Sequence, residues 1–402
     1  MTNIAILGFG VVGSGVAKLI TDNYKETIGL GGDDINIKYI LDLRDFPDSP
    51  FADKVIHDYN IILNDPEISY VIEVMGGSHP AYEFTMSALK AGKSVISSNK
   101  EVVANFGDEF MKAAEEAGVS YRFEAAVGGG IPVLSPMITM LRQNKISEVR
   151  GILNGTTNYI LTKMFSFGES FDDCLRDAQA KGYAESNPDA DILGIDASRK
   201  IAILGALISD RLIPTEFIHT EGITKIRSED VKAASMLGCT IKLVGRCICC
   251  DDGKCYIMVC PFMLPTDSPL SGVSGVYNAV EVVGEPIGSV MFYGPGAGSG
   301  ATASAVVGDL VQAMRSGRNI KMPVMEKSTA TLREFGDFIT KSYIAISGDD
   351  KSAVAEIFGK VSFITGDELA FVTESMSERD TEAAIAKLCA KGIAVKSRIR
   401  LL

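Results

Sequence analysis

Three acids and a lysine fall within sixteen residues of this chain: Glu185, Asp191, Asp196 and Lys200. They stand just before an apolar run, residues 201–208, whose make-up predicts a buried helix. On that helix Asp196 and Lys200 are spaced i, i+4 and share a face. A lysine held beside carboxylates at the rim of a core can bind an anion or move a proton. One acid so placed would be surface solvation; a clustered set with a lysine is the pattern of a working site.

The N-terminus supplies a reason for a proton to move. An apolar strand at residues 3–7 runs into Gly8-Phe9-Gly10-Val11-Val12-Gly13 and then into a helical stretch, 14–20. This is the G-x-G-x-x-G turn of a dinucleotide site. Its first glycine makes the bend, its second lets a pyrophosphate approach, and its third lets helix and strand pack. The helix start adds N–H groups and the positive end of its dipole. A nicotinamide nucleotide carries hydride, and a carbonyl that receives hydride also needs a proton.

Histidine is a poor source for that proton here. The chain has three, His57, His79 and His219, none between residues 92 and 210. His79 is expected to cap a helix beginning near Pro80. Lysine is the better candidate: Lys200 in the block above, and Lys100, which follows Ser97-Ser98-Asn99 at the end of a strand. A cation is unfavourable at a helix start, and ligands of open α/β sheets bind at strand carboxyl ends, so Lys100 reads as functional.

The elements that must position these residues alternate. Strands are predicted over 35–41, 70–74, 94–97 and 119–125, and helices over 80–91 and 101–117, giving a parallel, doubly wound sheet. The second strand ends in Leu41-Asp42-Leu43-Arg44. An acid there takes ribose hydroxyls and suits NAD, whereas an arginine accommodates the extra phosphate of NADP; both are present. An insert over 24–34 delays that strand. Further strands are expected over 146–154, 241–249, 255–261 and 289–293. Five of the eight cysteines fall between 247 and 260. Asp251-Asp252-Gly253 between two apolar runs predicts a hairpin there rather than a zinc site.

Composition narrows the partners. The 402 residues carry a net charge of −12, and no basic stripe suits a phosphate backbone or an anionic membrane. No apolar run approaches the ~20 residues of a membrane span, and no leader precedes the first strand, so a cytoplasmic protein is expected. Lys396-Ser-Arg398-Ile-Arg400 alternates and is expected to be the solvent face of a last strand.

Taken in order, Gly8–Gly13, Asn99-Lys100, residues 124–132, Asn154-Gly155-Thr156-Thr157-Asn158, the 182–200 block, Gly294-Pro-Gly-Ala-Gly298 and Thr302-Ala-Ser-Ala-Val306 resemble homoserine dehydrogenases. The likeness covers roughly residues 1–320. It implies reversible NAD- or NADP-dependent interconversion of L-aspartate 4-semialdehyde and L-homoserine, a step toward threonine, methionine and isoleucine. It implies Lys200 as acid/base, Lys100 as a second active-site lysine, and Glu185, Asp191 and Asp196 as the acids that hold the substrate's ammonium or the lysine. Gly155, Thr156 and Tyr183 would line the substrate. Gly76, Ser98, Lys100 and Gly298 would join residues 8–13, Asp42 and Arg44 at the nucleotide. Residues 124–131 resemble a loop for a monovalent, sodium-like cation, with Glu124, Val127, Gly129 and Ile131 at the matching positions; a Gly-rich turn before a helix starting at Pro132 is the plainer reading.

The resemblance divides the chain into a Rossmann-type domain (1–131), a central α+β substrate and dimerisation domain (132–320, with 294–320 returning to the nucleotide), a linker (321–340) and a C-terminal module (341–402). In that module strands over 342–346, 361–365, 369–373 and 395–401 and helices over 352–358 and 381–390 give βαββαβ, a ferredoxin-like order that resembles an ACT domain. Such modules take amino-acid effectors. They commonly carry a glycine after the first strand's acid, and this chain has none between Asp349 and Val354. A homodimer or homotetramer is implied.

Overall fold

The computed structural model describes residues 1–22, 34–316, 325–364, 366 and 368–402. Residues 24–33 of the expected insert, 317–320 of the returning segment, 321–324 of the expected linker and Thr365 lie outside the described residues. The chain divides into two compact units. One comprises residues 1–145, 202–215 and 292–329; the other comprises 146–201, 216–291 and 330–402.

The first unit is built on a six-stranded parallel sheet: β1 (Thr2–Leu7), β2 (Ile35–Leu41), β3 (Val55–Ile56), β4 (Ile68–Glu73), β5 (Ser94–Ser97) and β6 (Tyr121–Arg122). The order across the sheet is β3-β2-β1-β4-β5-β6, that of a dinucleotide-binding fold with its crossover beside β1. Ile4, Ala5, Ile6 and Leu7 are fully buried, as a central parallel strand covered on both faces demands. The Val11–Asp22 helix lays Val16, Ala17 and Ile20 against Ala303, Val306 and Leu310 of the Ser299–Arg315 helix.

Several expectations for this unit need correction. β3 has only two residues and no sequence signal. The strand expected over 119–125 shrinks to Tyr121–Arg122, because Glu124 takes a helical conformation and a short helix, Ala125–Gly128, follows at once. Pro132 precedes rather than starts the next helix, Leu134–Pro136. His79 does not cap: the helix is Ala81–Lys90 with no side-chain cap bond. The His79 Nδ1 instead meets Glu83 Oε1 in the first turn of that helix at 2.7 Å.

The second unit carries a ten-stranded mixed sheet. Across it run Gly288–Pro295, Tyr277–Glu285, Lys145–Ile152, Cys239–Cys249, Cys255–Pro265, Val395–Leu401, Ser342–Ile346, Ala370–Thr373 and Val361–Ile364, with His219–Thr220 paired to Cys255–Pro265 off this path. The cysteine-rich segment is the expected hairpin, Cys249 standing opposite Cys255. Tyr277–Glu285 is a strand additional to those expected from the sequence. From Ser342 onward the strands and the helices Lys351–Phe358 and Glu378–Ala390 follow βαββαβ. The last strand of that module pairs in parallel with the hairpin, Phe262 with Arg400 and Met263 with Leu401, so one sheet runs through both.

That junction overturns the solvated reading of the final strand at Arg398 and Arg400, while Lys396 is exposed as expected. Arg400 is 2% exposed. Its guanidinium gives Nη1 and Nη2 to the Glu221 carboxylate at 2.8 Å each and Nε and Nη2 to Glu378 at 2.9 and 2.8 Å. Arg398 pairs with Glu378 at 2.9 Å. Alternation here places guanidinium groups over facing acids, and bidentate pairing permits their burial. Burial pushes Glu221 up, but His219 and Arg400 outweigh it and hold the carboxyl down to about 2. His219, Glu221 and Cys260 lie close enough to share a metal; with both Glu221 oxygens on Arg400, an ion-pair knot is the better description. No helix among the described residues is long and apolar enough to cross a membrane.

Candidate active site

Backbone geometry shapes the glycine turn. Gly8 has φ +96°, a conformation side chains rarely adopt, and a Cβ on Gly13 would lie 1.9 Å from the Gly8 carbonyl oxygen, so only glycine fits. A Cβ on Gly10, Gly76 or Gly298 would meet nothing within 4 Å. These three leave room for another molecule to approach the backbone, as pyrophosphate contact requires. Val11 opens the following helix and is exposed, while Val12 packs on the core. Ser299 Oγ donates to the Val11 carbonyl at 2.7 Å, tying the Ser299–Arg315 helix, which starts beside Gly298, to the turn.

Phe9 N donates to Asp42 Oδ2 at 2.8 Å, so the acid ending β2 braces the turn. Arg44 clasps the same carboxylate, Nε to Oδ1 at 3.0 Å and Nη2 to Oδ2 at 3.1 Å. Arg44 is the main reason the Asp42 carboxyl is lowered to about 2. Ser98 N donates to the Glu73 carbonyl at 3.1 Å. Lys100 is the first residue of the Lys100–Ala117 helix, with Asn99 at its N-cap. Beneath this corner Glu73 is fully buried, accepting from Ser97 Oγ at 2.6 Å and Met75 N at 2.9 Å. Burial pushes its carboxyl up to about 7.

In the 124–131 loop the Glu124 carboxylate is already engaged. Oε1 accepts from Val133 N (2.6 Å) and Leu134 N (2.8 Å), and Oε2 from Ser135 N (2.6 Å). Its side chain therefore satisfies the orphan N–H groups of the next helix. Gly129 has φ +59°, and a Cβ on it would sit 2.4 Å from the Gly296 carbonyl oxygen. Val127 and Ile131 are buried beside it.

The charged block assembles in the second unit. Lys200 is 7% exposed. Its Nζ donates to the Leu153 carbonyl at 2.6 Å and to Asp196 Oδ2 at 2.8 Å. Asp191 joins through Asn154, whose Nδ2 donates to Asp191 Oδ1 at 2.7 Å and Asp196 Oδ2 at 2.9 Å. Asn154 also caps the Gly155–Phe167 helix. The sequence shows Asn154 only as the start of an Asn-Gly-Thr turn and carries no signal for these contacts. Gly155 has no room for a side chain, since a Cβ would lie 2.6 Å from the Val276 carbonyl oxygen. Thr156 Oγ1 donates to the Tyr183 carbonyl at 2.6 Å, fastening the helix start to the exposed turn that carries Glu185. Glu185 and Tyr183 stand outside the hydrogen-bonded set around Lys200; the Glu185 carbonyl accepts from Gln179 Nε2 at 3.1 Å.

The first unit thus carries a glycine-shaped turn and the second a buried lysine–carboxylate set. Comparison with known proteins decides the family. Residues 8–124 match the homoserine dehydrogenase NAD-binding domain and residues 132–311 match the homoserine dehydrogenase domain. The chain belongs to the homoserine dehydrogenase family. It is 38% identical over 408 residues to the Bacillus subtilis homoserine dehydrogenase, covering 94% of this chain and 92% of that protein. A homoserine dehydrogenase structure from Thiobacillus denitrificans superposes with a TM-score of 0.92 at 33% identity, covering 100% of this chain and 98% of the other. A hyperthermophilic archaeal homoserine dehydrogenase in complex with NADPH matches with a TM-score of 0.69 at 29% identity, over 80% of this chain and 99% of that one. The enzyme is thus an NAD(P)-dependent oxidoreductase of amino-acid biosynthesis.

Proposed function

We propose that Lys200 is the proton donor and acceptor in the interconversion of L-aspartate 4-semialdehyde and L-homoserine. The observation that carries this is the buried Lys200 Nζ, held by the Leu153 carbonyl and by Asp196. Bound nicotinamide supplies hydride to the aldehyde carbon, or takes it from the alcohol carbon. In oxidation the hydroxyl proton passes to neutral Lys200; in reduction the ammonium returns it to the new alkoxide. Asp196 orients the lysine. Asp191 and Glu185 receive the substrate's ammonium, and Gly155, Thr156 and Tyr183 shape the wall beside it. Lys100, at a strand's carboxyl end, serves as the second lysine of the reaction.

Residues 8–13, Gly76, Ser98, Lys100 and Gly298 hold the nucleotide, with Asp42 suited to ribose hydroxyls and Arg44 to an added phosphate. The carbonyl oxygens of Glu124, Val127, Gly129 and Ile131 are the donors proposed for a monovalent cation, whose charge would steady this turn. Residues 1–131 serve as nucleotide domain, 132–320 as substrate and dimerisation domain with 294–320 returning to the nucleotide, and 321–340 as linker. Residues 341–402 serve as an ACT-like regulatory module for an amino-acid effector in a homodimer or homotetramer. The strand order of this module, with Ser342–Ile346 between Val395–Leu401 and Ala370–Thr373, supports that reading. Against it, Asp350 caps the Lys351–Phe358 helix with its own carboxylate, where a glycine would leave backbone donors open.

The test is the initial rate of NAD and NADP reduction with homoserine, with and without threonine and with sodium or potassium, alongside the mass in solution. Homoserine-dependent reduction is expected. If neither nucleotide is reduced, the assignment of Lys200 and its acids to this substrate fails.

A further inference from the structure

The residue that organises the Lys200 set is Asn154, and we infer that it is a positioning residue: its amide fixes both acids and, through Asp196, the lysine. This deepens the reading of Lys200 as proton donor and rests on it.

Every polar group of the Asn154 side chain is committed. Oδ1 accepts from Thr157 N at 2.9 Å, closing the N-cap of the Gly155–Phe167 helix. The two N–H bonds of Nδ2 go to Asp191 Oδ1 at 2.7 Å and Asp196 Oδ2 at 2.9 Å. The partners fix which way the amide faces, since a backbone N–H can only donate and a carboxylate can only accept. The residue is 5% exposed, so water competes little for these bonds. Asp196 Oδ2 also receives Lys200 Nζ at 2.8 Å, which makes that one oxygen the point where amide and ammonium converge. The preceding residue supplies the Leu153 carbonyl for the same ammonium.

The requirement is specific to asparagine. Aspartate and serine cap helices as well as asparagine does, and both are used elsewhere in this chain, as Asp58, Ser170, Asp350 and Ser377. Neither presents two donors to a pair of carboxylates. Two ionised acids side by side repel, and a doubly donating amide between them lowers that cost without adding charge. Glutamine has the amide but is a methylene too long for the cap.

The test compares Asn154→Asp and Asn154→Ser with the parent enzyme. Both keep a cap acceptor, so melting temperatures within a few degrees of the parent are expected. Asn154→Asp places a third carboxylate in the set; kcat should fall by at least about 30-fold and the acid limb of its pH profile should move up by about one unit. Asn154→Ser removes the bridge without adding charge; kcat should fall by about 10-fold with a smaller displacement of the limb. Folded variants with parental kcat, KM and pH profile would overturn the inference, as would a loss of melting temperature with an unmoved pH profile. Should Asn154→Asp not fold, Asn154→Ser carries the same test. Full activity in Lys200→Ala would instead overturn the underlying reading of the lysine, whatever the asparagine variants do.

Discussion

The nucleotide turn and the lysine cluster are built by opposite means. In the first unit the working surface is bare backbone, fixed by places where no side chain fits: Gly13 against the Gly8 carbonyl, Gly15 against Ser299, and Gly129 against Gly296. In the second unit the working surface is charge, fixed by Asp191, Asp196 and Lys200 around one amide. A pyrophosphate brings its own charge and needs N–H groups and space. A proton in transit needs a group whose charge can change while its neighbours hold still. The difference follows from what each site must handle, and it means the two should fail differently.

Lys200→Ala should show this most strongly. Loss of a positioned acid–base group costs about 100-fold or more in rate, while nucleotide affinity, set by the other unit, should stay within about twofold, a difference of ~0.4 kcal/mol. Steady-state rates and a nucleotide titration on the same preparation decide it; an affinity loss as large as the rate loss would erase the distinction. Gly13→Ala should do the reverse. A methyl group 1.9 Å from the Gly8 carbonyl oxygen must displace backbone, an overpacking cost of about 1–3 kcal/mol. Nucleotide affinity should fall by about tenfold, ~1.4 kcal/mol, with a lower melting temperature, while the pH profile of the remaining activity stays where it was.

The same difference explains what could be read from the sequence. A turn made of glycines is local, so Gly8, Gly10 and Gly13 with the flanking strand and helix were legible within a short stretch. So were the cysteine hairpin, from its Asp-Asp-Gly turn, and the C-terminal βαββαβ, from alternation. Asp191, Asp196 and Lys200 stand within one short stretch and are legible too; what tertiary folding adds to them is the amide. Asn154 reaches Asp191 and Asp196 across 37 and 42 residues, and a cap motif before Gly-Thr-Thr says nothing of what its amide will touch. Glu124 offered carboxylate chemistry, but its oxygens are spent on N–H groups nine to eleven residues on. Arg398 and Arg400 alternated as a solvated face should, and only the packing of the last strand shows the acids that bury them.

Glu73 sharpens the comparison because it is a fully buried acid beside the nucleotide turn with no cation among its hydrogen-bond partners. Its partners Ser97 and Met75 are neutral, and burial raises its carboxyl from 4.5 to about 7. A folded-state value above the unfolded one means that folding favours the proton. The stabilisation is full below about pH 4.5 and is lost as pH rises through about 7. Glu73→Gln keeps the shape and cannot ionise. It should melt higher than the parent at pH 8, by about 1–3 kcal/mol in stability, and the gap should close at pH 4.5. Equal melting curves at both values would mean that Glu73 is charged and compensated in the folded protein.

Arg44→Ala should have the smallest effect and the most discriminating one. Its guanidinium is largely exposed, so the proposed contact with a nucleotide phosphate would be screened and worth about 1 kcal/mol. NADP affinity should fall by about fivefold, and NAD affinity should hardly move. The Asp42 carboxyl, which Arg44 holds down to about 2, would return toward its ordinary range and still be ionised at neutral pH. It would therefore keep its bond to Phe9 N and the turn would stand. If NAD binding falls as far as NADP binding, the Asp42–Arg44 pair is instead a clasp on which the turn depends. Charge would then build the nucleotide site as it builds the lysine site, and the contrast between the two units would be one of degree.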